Sequence, residues 1–70
     1  MSKGYRVKEE RELQKITQSE LSIRTGLTQK FISELENDKY SSISDQTMEI
    51  LAQALNKTVP ELFYNEEKVA

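Results

Sequence analysis

Hydrophobic side chains recur with helical spacing in the second half of the chain. Four of them follow the pattern i, i+3, i+4, i+7, which places them on one face of an α-helix: Met48, Leu51, Ala52 and Leu55. Ser44 stands before this stretch as a candidate N-cap, and Asn56 stands after it as a residue that tolerates a left-handed helix end. The pattern predicts an amphipathic helix between Ser44 and Asn56.

Two Thr-x-x-Glu sequences mark further helix starts, TQSE at residues 17–20 and TVPE at residues 58–61. In such a capping box the Thr side chain accepts a hydrogen bond from a backbone amide of the first turn, and the Glu side chain reaches back to the amide of the Thr. Pro60 suits the first turn of the later helix, because the N–H group that proline lacks would have no partner there. The earlier helix is expected to end near Thr25, where Gly26 can take the left-handed conformation of a helix end.

Two more helices complete an all-helical prediction. Residues 5–14 form a charged first helix, and Thr28 can cap a third helix over about residues 28–37. The chain holds only two Gly and one Pro and has no sustained alternation of β-branched residues, which argues against a sheet. We therefore expect one all-α domain of five helices over the whole chain, with its core at residues 5–64 and a frayed tail at residues 65–70.

The composition excludes several classes of function. The 70 residues include no Cys and no His, so the sequence has no disulfide, no zinc site of Cys or His, no thiol nucleophile and no imidazole base. So small a domain is also expected to lack a ligand cleft of about 300 Å³, and we predict neither an enzyme nor a cofactor nor a small-molecule ligand. The longest apolar runs, such as Ile50-Leu51-Ala52, have three residues, far fewer than the roughly 20 of a membrane span, which predicts a soluble cytoplasmic protein.

The residues around Gly26 have the spacing of two helices that cross closely. Counted from Gln18 as position 1, the small Ser22 falls at position 5 and Gly26 at position 9. The apolar residues at positions 4, 10, 15 and 18 are Leu21, Leu27, Ile32 and Leu35. This is the spacing of a DNA-binding helix-turn-helix. The segment KITQSELSIRTGLTQKFISELENDK resembles the Cro and phage-repressor type of that motif, the Xre-like family, and MEILAQALNKTVPELF is similar to the last two helices of that family.

The resemblance covers about residues 5–64 and implies a compact five-helix, lambda-repressor-like domain. It further implies a DNA-binding transcription regulator, such as a repressor, that reads its operator with helix 3. Three departures from the family pattern concern the turn and the loop after helix 3. They are Thr25 where an apolar residue is usual, Asp38 where glycine is usual, and a loop YSSIS that lacks the common proline.

One carboxylate is predicted to point into the core. With successive helical positions about 100° apart, Glu36 lies on the same side of helix 3 as Ile32 and Leu35. A buried carboxylate needs a partner, and Arg11 is the natural one because it lies four residues after Val7 on the inner face of helix 1. The family pattern pairs the same two positions, which implies a structural ion pair without direct DNA contact. The alternative is that both residues are ordinary exposed charges.

The residues that remain outward at the start of helix 3 carry side chains suited to a major groove. Gln29 can make a bidentate contact with adenine, Lys30 can donate to guanine or to a phosphate, and Glu34 can accept from cytosine or repel a phosphate. The predicted base contacts are Thr28, Gln29, Lys30, Ser33 and Glu34. The predicted phosphate contacts are Asn37, Lys39, Tyr40 and Gln18, the last because it matches the phosphate-contacting glutamine of the family. For each of them the alternative is an ordinary solvated side chain.

Charge is the main argument against DNA as the partner, since the net charge of the chain is -2. Eight Lys and Arg against seven Asp and Glu give residues 1–40 a charge of +1, and two against five give residues 41–70 a charge of -3. The acidity thus lies outside the motif. A homodimer would double the number of contacts with phosphates.

A homodimer through helices 4 and 5 is also expected, because one short helix reads only a few base pairs of a palindromic operator. The apolar residues that could form the interface, unless they simply close the core of one chain, are Ile50, Ala54, Leu62, Phe63 and Tyr64. The rival interpretation of the chain is a protein-interaction module with the same fold, such as an antitoxin-like or antirepressor partner. Salt-dependent binding of double-stranded DNA separates the two interpretations.

Overall fold

The computed structural model describes residues 5–40 and 42–64. Within these ranges the chain forms five helices: α1 (Val7–Leu13), α2 (Gln18–Thr25), α3 (Gln29–Glu36), α4 (Asp45–Ala54) and α5 (Pro60–Tyr64), the last of which is π-helical. The all-α prediction is confirmed. No helix in these ranges is both long enough and apolar enough to cross a membrane. The predicted frayed tail at residues 65–70 lies outside the described residues.

The core combines apolar side chains from all five helices. Its members are Val7, Ile16, Leu21, Ile32, Leu35, Met48, Leu51, Ala52, Leu55, Leu62 and Phe63. α2 packs against both α3 and α4, and α1 contacts α5, where the amide of Arg6 donates to the carbonyl of Leu62 at 2.8 Å. Burial of these side chains is the main stabilising contribution, and truncating one of the leucines to alanine would cost about 2–5 kcal/mol.

Side-chain caps start the helices where the sequence predicts them. Three hydroxyls accept from backbone amides of their first turns at 3.0 to 3.1 Å, those of Thr17, Thr28 and Ser44. The second Thr-x-x-Glu box is complete, because Glu61 donates from its amide to the Thr58 hydroxyl and accepts from the Thr58 amide at 2.9 Å. In the first box the Glu20 carboxylate instead accepts from Arg24 at 3.0 Å, so the structure shows only the Thr half of that prediction.

Left-handed backbone conformations occur at four of the described residues: Lys15, Gly26, Asp38 and Asn56. Gly26, with φ of 79°, and Asn56, with φ of 60°, take the conformation that the sequence predicts for them. Asp38 has φ of 59°, although it carries a side chain where the family has glycine. Asp is one of the few residues that tolerate this region, so the left-handed turn after α3 persists with some backbone strain.

The apolar residues of α4 and α5 divide between the core and the surface. Leu62 is 0% exposed and Phe63 is 3% exposed, so these two close the core of one chain and drop out of the predicted dimer interface. Ile50 and Ala54 are half-buried, and Tyr64 is 54% exposed. These three remain as interface candidates.

The expectation that the domain has no ligand-sized cleft is wrong. An open groove of about 460 Å³ lies between α1 and the end of α3. Its lining residues are Tyr5, Lys8, Glu9, Glu12, Leu13, Glu36 and Asp38. The groove forms outside the packed core, between long side chains of α1 and the turn after α3. The expectation considered only space enclosed within so small a core. The groove contains carboxylates, but no group of three His, Cys, Asp or Glu in the described part of the chain could hold a metal ion.

Candidate nucleic-acid interface

Hydroxyl groups fix the turn between α2 and α3 together with Gly26. Thr25 Oγ1 donates to the carbonyl of Leu21 at 2.8 Å and accepts from the amide of Leu27 at 3.1 Å. Ser22 Oγ donates to the carbonyl of Leu27. Thr25 departs from the apolar residue that is usual in the family, and its hydroxyl makes two hydrogen bonds that an apolar side chain could not make.

A buried ion pair joins α1 to the end of α3. Arg11 Nε lies 2.8 Å from Oε2 of Glu36, and Nη2 lies 3.1 Å from Oε1, which makes the contact bidentate. The Glu36 side chain is only 3% exposed, and Arg11 Nη1 also donates to the carbonyl of Ile16 at 2.8 Å. The hydrogen bond to Glu36 raises the pKa of Arg11 above its ordinary value, against the opposing effect of burial. The structure thus brings together the two residues that the sequence pairs.

Gln18, the first residue of α2, contacts the same carboxylate. Its Nε2 donates to Oε1 of Glu36 at 2.9 Å. This bond uses one of the two Nε2 hydrogens, and the backbone N–H of a first helical residue has no partner within its own helix. Arg11, Gln18 and Glu36, which we call the lock cluster, connect three helices where α2 begins and α3 ends.

The first turn of α3 is open to solvent. Thr28, Gln29 and Lys30 are exposed, and the Lys30 side chain is 83% exposed. The Thr28 hydroxyl accepts from the amide of Phe31 as the N-cap, a bond that does not use the hydroxyl proton. Ser33, one turn later, is half-buried. The predicted base-contacting face is therefore most accessible at its N-terminal end.

Glu34 and Tyr40 are hydrogen-bonded to each other. Tyr40 Oη donates to Oε1 of Glu34 at 2.7 Å, and Lys30 Nζ lies 3.7 Å from Oε2. The Tyr40 ring packs at a tilt against Phe31, with ring centroids 5.1 Å apart. The hydrogen bond is the main reason why the pKa of Glu34 is lowered and the pKa of Tyr40 is raised.

The residues after α3 differ in what they can offer a phosphate. Lys39 is exposed, and Asn37 uses one of its two Nδ2 hydrogens to donate to the carbonyl of Ser33 at 2.9 Å. Tyr40 has a single hydroxyl proton, which the bond to Glu34 uses. Because phosphate oxygens only accept, Tyr40 cannot donate to a phosphate while this bond persists, so the predicted phosphate contact of Tyr40 stays a prediction that requires the bond to Glu34 to break.

Several hydrogen bonds in and near the site were not predicted from the sequence. They include the hydroxyl bridge from Thr25 to the amide of Leu27, the bond from Gln18 to Glu36, the bond from Tyr40 to Glu34, and a bond of 2.7 Å from Gln14 Nε2 to the carbonyl of Leu55. Each of them crosses a turn or joins two helices, so no helical period signals it. Only the bond between Tyr40 and Glu34 had a signal in the sequence, namely a tyrosine shortly after a helix with an outward-pointing carboxylate.

The comparison with protein families agrees with this geometry. A helix-turn-helix family model, of the Cro and phage-repressor type, matches residues 7–62, which is well over half of the chain. The chain therefore belongs to this helix-turn-helix family, as the resemblance in its sequence indicated. No curated protein and no solved structure matches the chain significantly. The family is one of DNA-binding regulators, which defines the class of this protein.

Proposed function

We propose that this chain is a sequence-specific transcription regulator that reads the major groove of its operator with α3. The observation that carries the proposal is that the first turn of α3 is exposed and presents Gln29 and Lys30. The C-terminal end of the same helix is held by the lock cluster. A fixed orientation of α3 matters because bidentate base contacts need side chains in defined positions. The lock cluster supports this requirement by connecting α3 to both α1 and α2.

Each side chain of the exposed face has a base edge that suits it. Gln29 pairs with N6 and N7 of adenine, and Lys30 donates to O6 or N7 of guanine. Thr28 and Ser33 contact a base edge or a phosphate through their hydroxyls. Glu34 accepts from the amino group of cytosine. A good bidentate contact discriminates against the wrong base by about 1–3 kcal/mol.

Phosphate contacts are assigned to donors at the two ends of the motif. Gln18 offers its backbone N–H at the start of α2, where the helix dipole is positive, and the second hydrogen of Nε2. Asn37 and Lys39 offer donors after the end of α3. Such contacts set the register of the protein on the duplex and carry no base preference of their own.

Several acidic side chains near the motif are paired with cations. Arg11 compensates Glu36 inside the lock cluster, and Arg24 lies 3.0 Å from the carboxylate of Glu20 on α2. The negative net charge of -2 comes from residues 41–70, which carry -3 against +1 for residues 1–40. We expect weak non-specific binding, which depends on phosphate neutralisation, together with a clear preference for the operator.

We infer that the operator is bound by a homodimer. One α3 of 8 residues spans only a few base pairs, and two-fold pairing would place two such helices about 34 Å apart on a palindrome. The interface candidates are Tyr64 at the end of α5 and Ile50 and Ala54 of α4. Analytical ultracentrifugation should find two chains per palindromic duplex, and Ile50→Asp should weaken the pairing. One chain per duplex would argue against the dimer.

A protein-interaction module with the same fold is the second candidate, and the acidic groove favours it. Glu9, Glu12 and Asp38 line this groove together with Leu13, which is 68% exposed. An antitoxin-like or antirepressor module would bind its partner there.

Selection from a pool of random duplexes, followed by binding titrations, distinguishes the two functions. A regulator enriches a defined, palindromic sequence and binds it more tightly than a scrambled duplex, with an affinity that falls as salt rises. A protein-only module enriches no sequence and binds neither duplex even at low salt.

A further inference from the structure

We propose that Tyr40 is a positioning residue that fixes the Glu34 carboxylate in the major groove, so that each operator half-site carries a cytosine opposite Glu34. The inference rests on the proposed function, and it adds a base preference together with the contact that causes it. Tyr40 lies in the segment after α3 and Glu34 lies on α3. The path of the chain after the helix therefore determines whether Tyr40 can hold the Glu34 side chain.

The Glu34 side chain is restrained by its hydrogen bond to Tyr40. A glutamate on a helix surface ordinarily samples several rotamers. Here Tyr40 Oη holds Oε1 at 2.7 Å, and Lys30 Nζ lies 3.7 Å from Oε2. The Tyr40 ring is in turn packed against Phe31, with centroids 5.1 Å apart. The Glu34 side chain remains 36% exposed, so it is restrained and still accessible to a partner.

The restrained carboxylate keeps its capacity to accept from DNA. Each carboxylate oxygen has two lone pairs, and the bond from Tyr40 occupies one of them. The Tyr40 hydrogen bond, assisted by the charges of Lys30 and Lys39, lowers the pKa of Glu34, so the group stays ionised and donates no proton. Glu34 is therefore an acceptor-only group on the exposed side of α3.

An acceptor-only group discriminates among the four bases in the major groove. Cytosine presents its N4 amino group as a donor, whereas guanine presents O6 and N7, and thymine presents O4, all of which are acceptors. Adenine has an amino donor beside the N7 acceptor, so it is a weaker partner than cytosine. A carboxylate held in one position would favour cytosine and repel guanine and thymine.

Two other roles for Tyr40 predict different results on substitution. If Tyr40 contacted a phosphate, its loss would weaken binding to every duplex alike and reduce the salt dependence. If Tyr40 only stabilised the fold, its loss would lower the unfolding temperature and reduce affinity for every duplex by one factor. Positioning of Glu34 instead predicts a change at one base pair only.

The test uses Tyr40→Phe, which keeps the ring against Phe31 and removes only the hydroxyl. Glu34→Gln removes the charge and turns the group into one that suits adenine. Tyr5→Phe is the matched control, because the Tyr5 ring packs edge-on against Phe63 of α5, whereas the Tyr40 ring packs against Phe31 of α3. The probes are the duplex that the wild type enriches and duplexes that differ from it at single base pairs.

We expect the wild type to prefer cytosine at one position by about tenfold over thymine. Tyr40→Phe should reduce that ratio severalfold and leave the ratios at all other positions unchanged. Glu34→Gln should shift the preference from cytosine toward adenine, and Tyr5→Phe should change no ratio. Equal weakening of all duplexes by Tyr40→Phe, or no change at all, would overturn the proposal.

A second readout needs no DNA. In an NMR titration of the carboxyl carbons, the pKa of Glu34 should rise toward its ordinary value in Tyr40→Phe and not in Tyr5→Phe. An unchanged Glu34 pKa would show that the hydroxyl does not hold the carboxylate, and the proposal would then be wrong. If the wild type enriches no sequence, the proposed function itself fails and the base preference fails with it, whatever the titration shows.

Discussion

Arg11 and Glu36 are separated by 25 positions in the sequence, yet Nε of one lies 2.8 Å from Oε2 of the other. The same carboxylate accepts from Gln18 at 2.9 Å. These bonds compensate for the removal of both charges from water, which would otherwise cost several kcal/mol. The orientation of α3 therefore depends on a contact behind the helix, on the side away from the predicted base contacts.

Glu36→Ala should reduce the free energy of unfolding by about 3 kcal/mol, because it leaves the Arg11 guanidinium buried without its partner. Glu49→Ala is the control, since Glu49 is exposed on α4 and its truncation should change stability by less than about 0.5 kcal/mol. Urea titrations of the three proteins give the comparison. Equal small losses in both variants would mean that the ion pair contributes little to the fold.

Thr25→Val should lower the free energy of unfolding by about 1–2 kcal/mol, although valine matches threonine in shape. The reason is that the amide of Leu27 loses the acceptor that it has at 3.1 Å, inside the turn of the motif. Thr25→Ser keeps the hydroxyl and should retain most of the stability. If valine were tolerated better than serine, the hydroxyl bridge would have no energetic role.

Substitutions at Asp38 should separate backbone strain from side-chain chemistry. Its φ of 59° suits glycine, whereas alanine has neither the freedom of glycine nor the polar side chain that helps Asp in this region. Asp38→Gly should therefore be more stable than Asp38→Ala by about 1 kcal/mol in thermal or urea unfolding. Indistinguishable variants would indicate that the turn after α3 relaxes to another conformation.

The regular parts of the fold could be predicted from the sequence because burial on a helix repeats with a known period. The spacing of Met48, Leu51 and Leu55 defined α4, and the same geometry turned Glu36 toward the core, where Arg11 was its natural partner. The capping residues marked the helix starts for a related reason, since each cap contacts an amide only a few residues away.

The contacts that the sequence did not predict depend on the path of irregular segments. Tyr40 reaches Glu34 because the chain folds back beside α3 after the left-handed Asp38, and no periodic pattern encodes that path. The apolar residues Leu62 and Phe63 were ambiguous for a different reason. A hydrophobic face has the same pattern whether it is buried in its own chain or in a partner, and only the packing of α5 against α1 resolves it.

Gln29→Ala tests most directly whether the exposed start of α3 reads bases. Gln29 is the first residue of α3, so its loss should weaken binding to the enriched duplex by about 1–3 kcal/mol per half-site. Lys39→Ala is the contrasting variant, because loss of a phosphate contact should weaken all duplexes alike and reduce the salt slope by about one unit per contact.

The decisive measurement is the ratio of affinities for the enriched and the scrambled duplex, determined by titration at several salt concentrations for the wild type and both variants. We predict that Gln29→Ala lowers this ratio and that Lys39→Ala leaves it unchanged. A ratio that Gln29→Ala does not change would contradict the assignment of α3 as the reading helix.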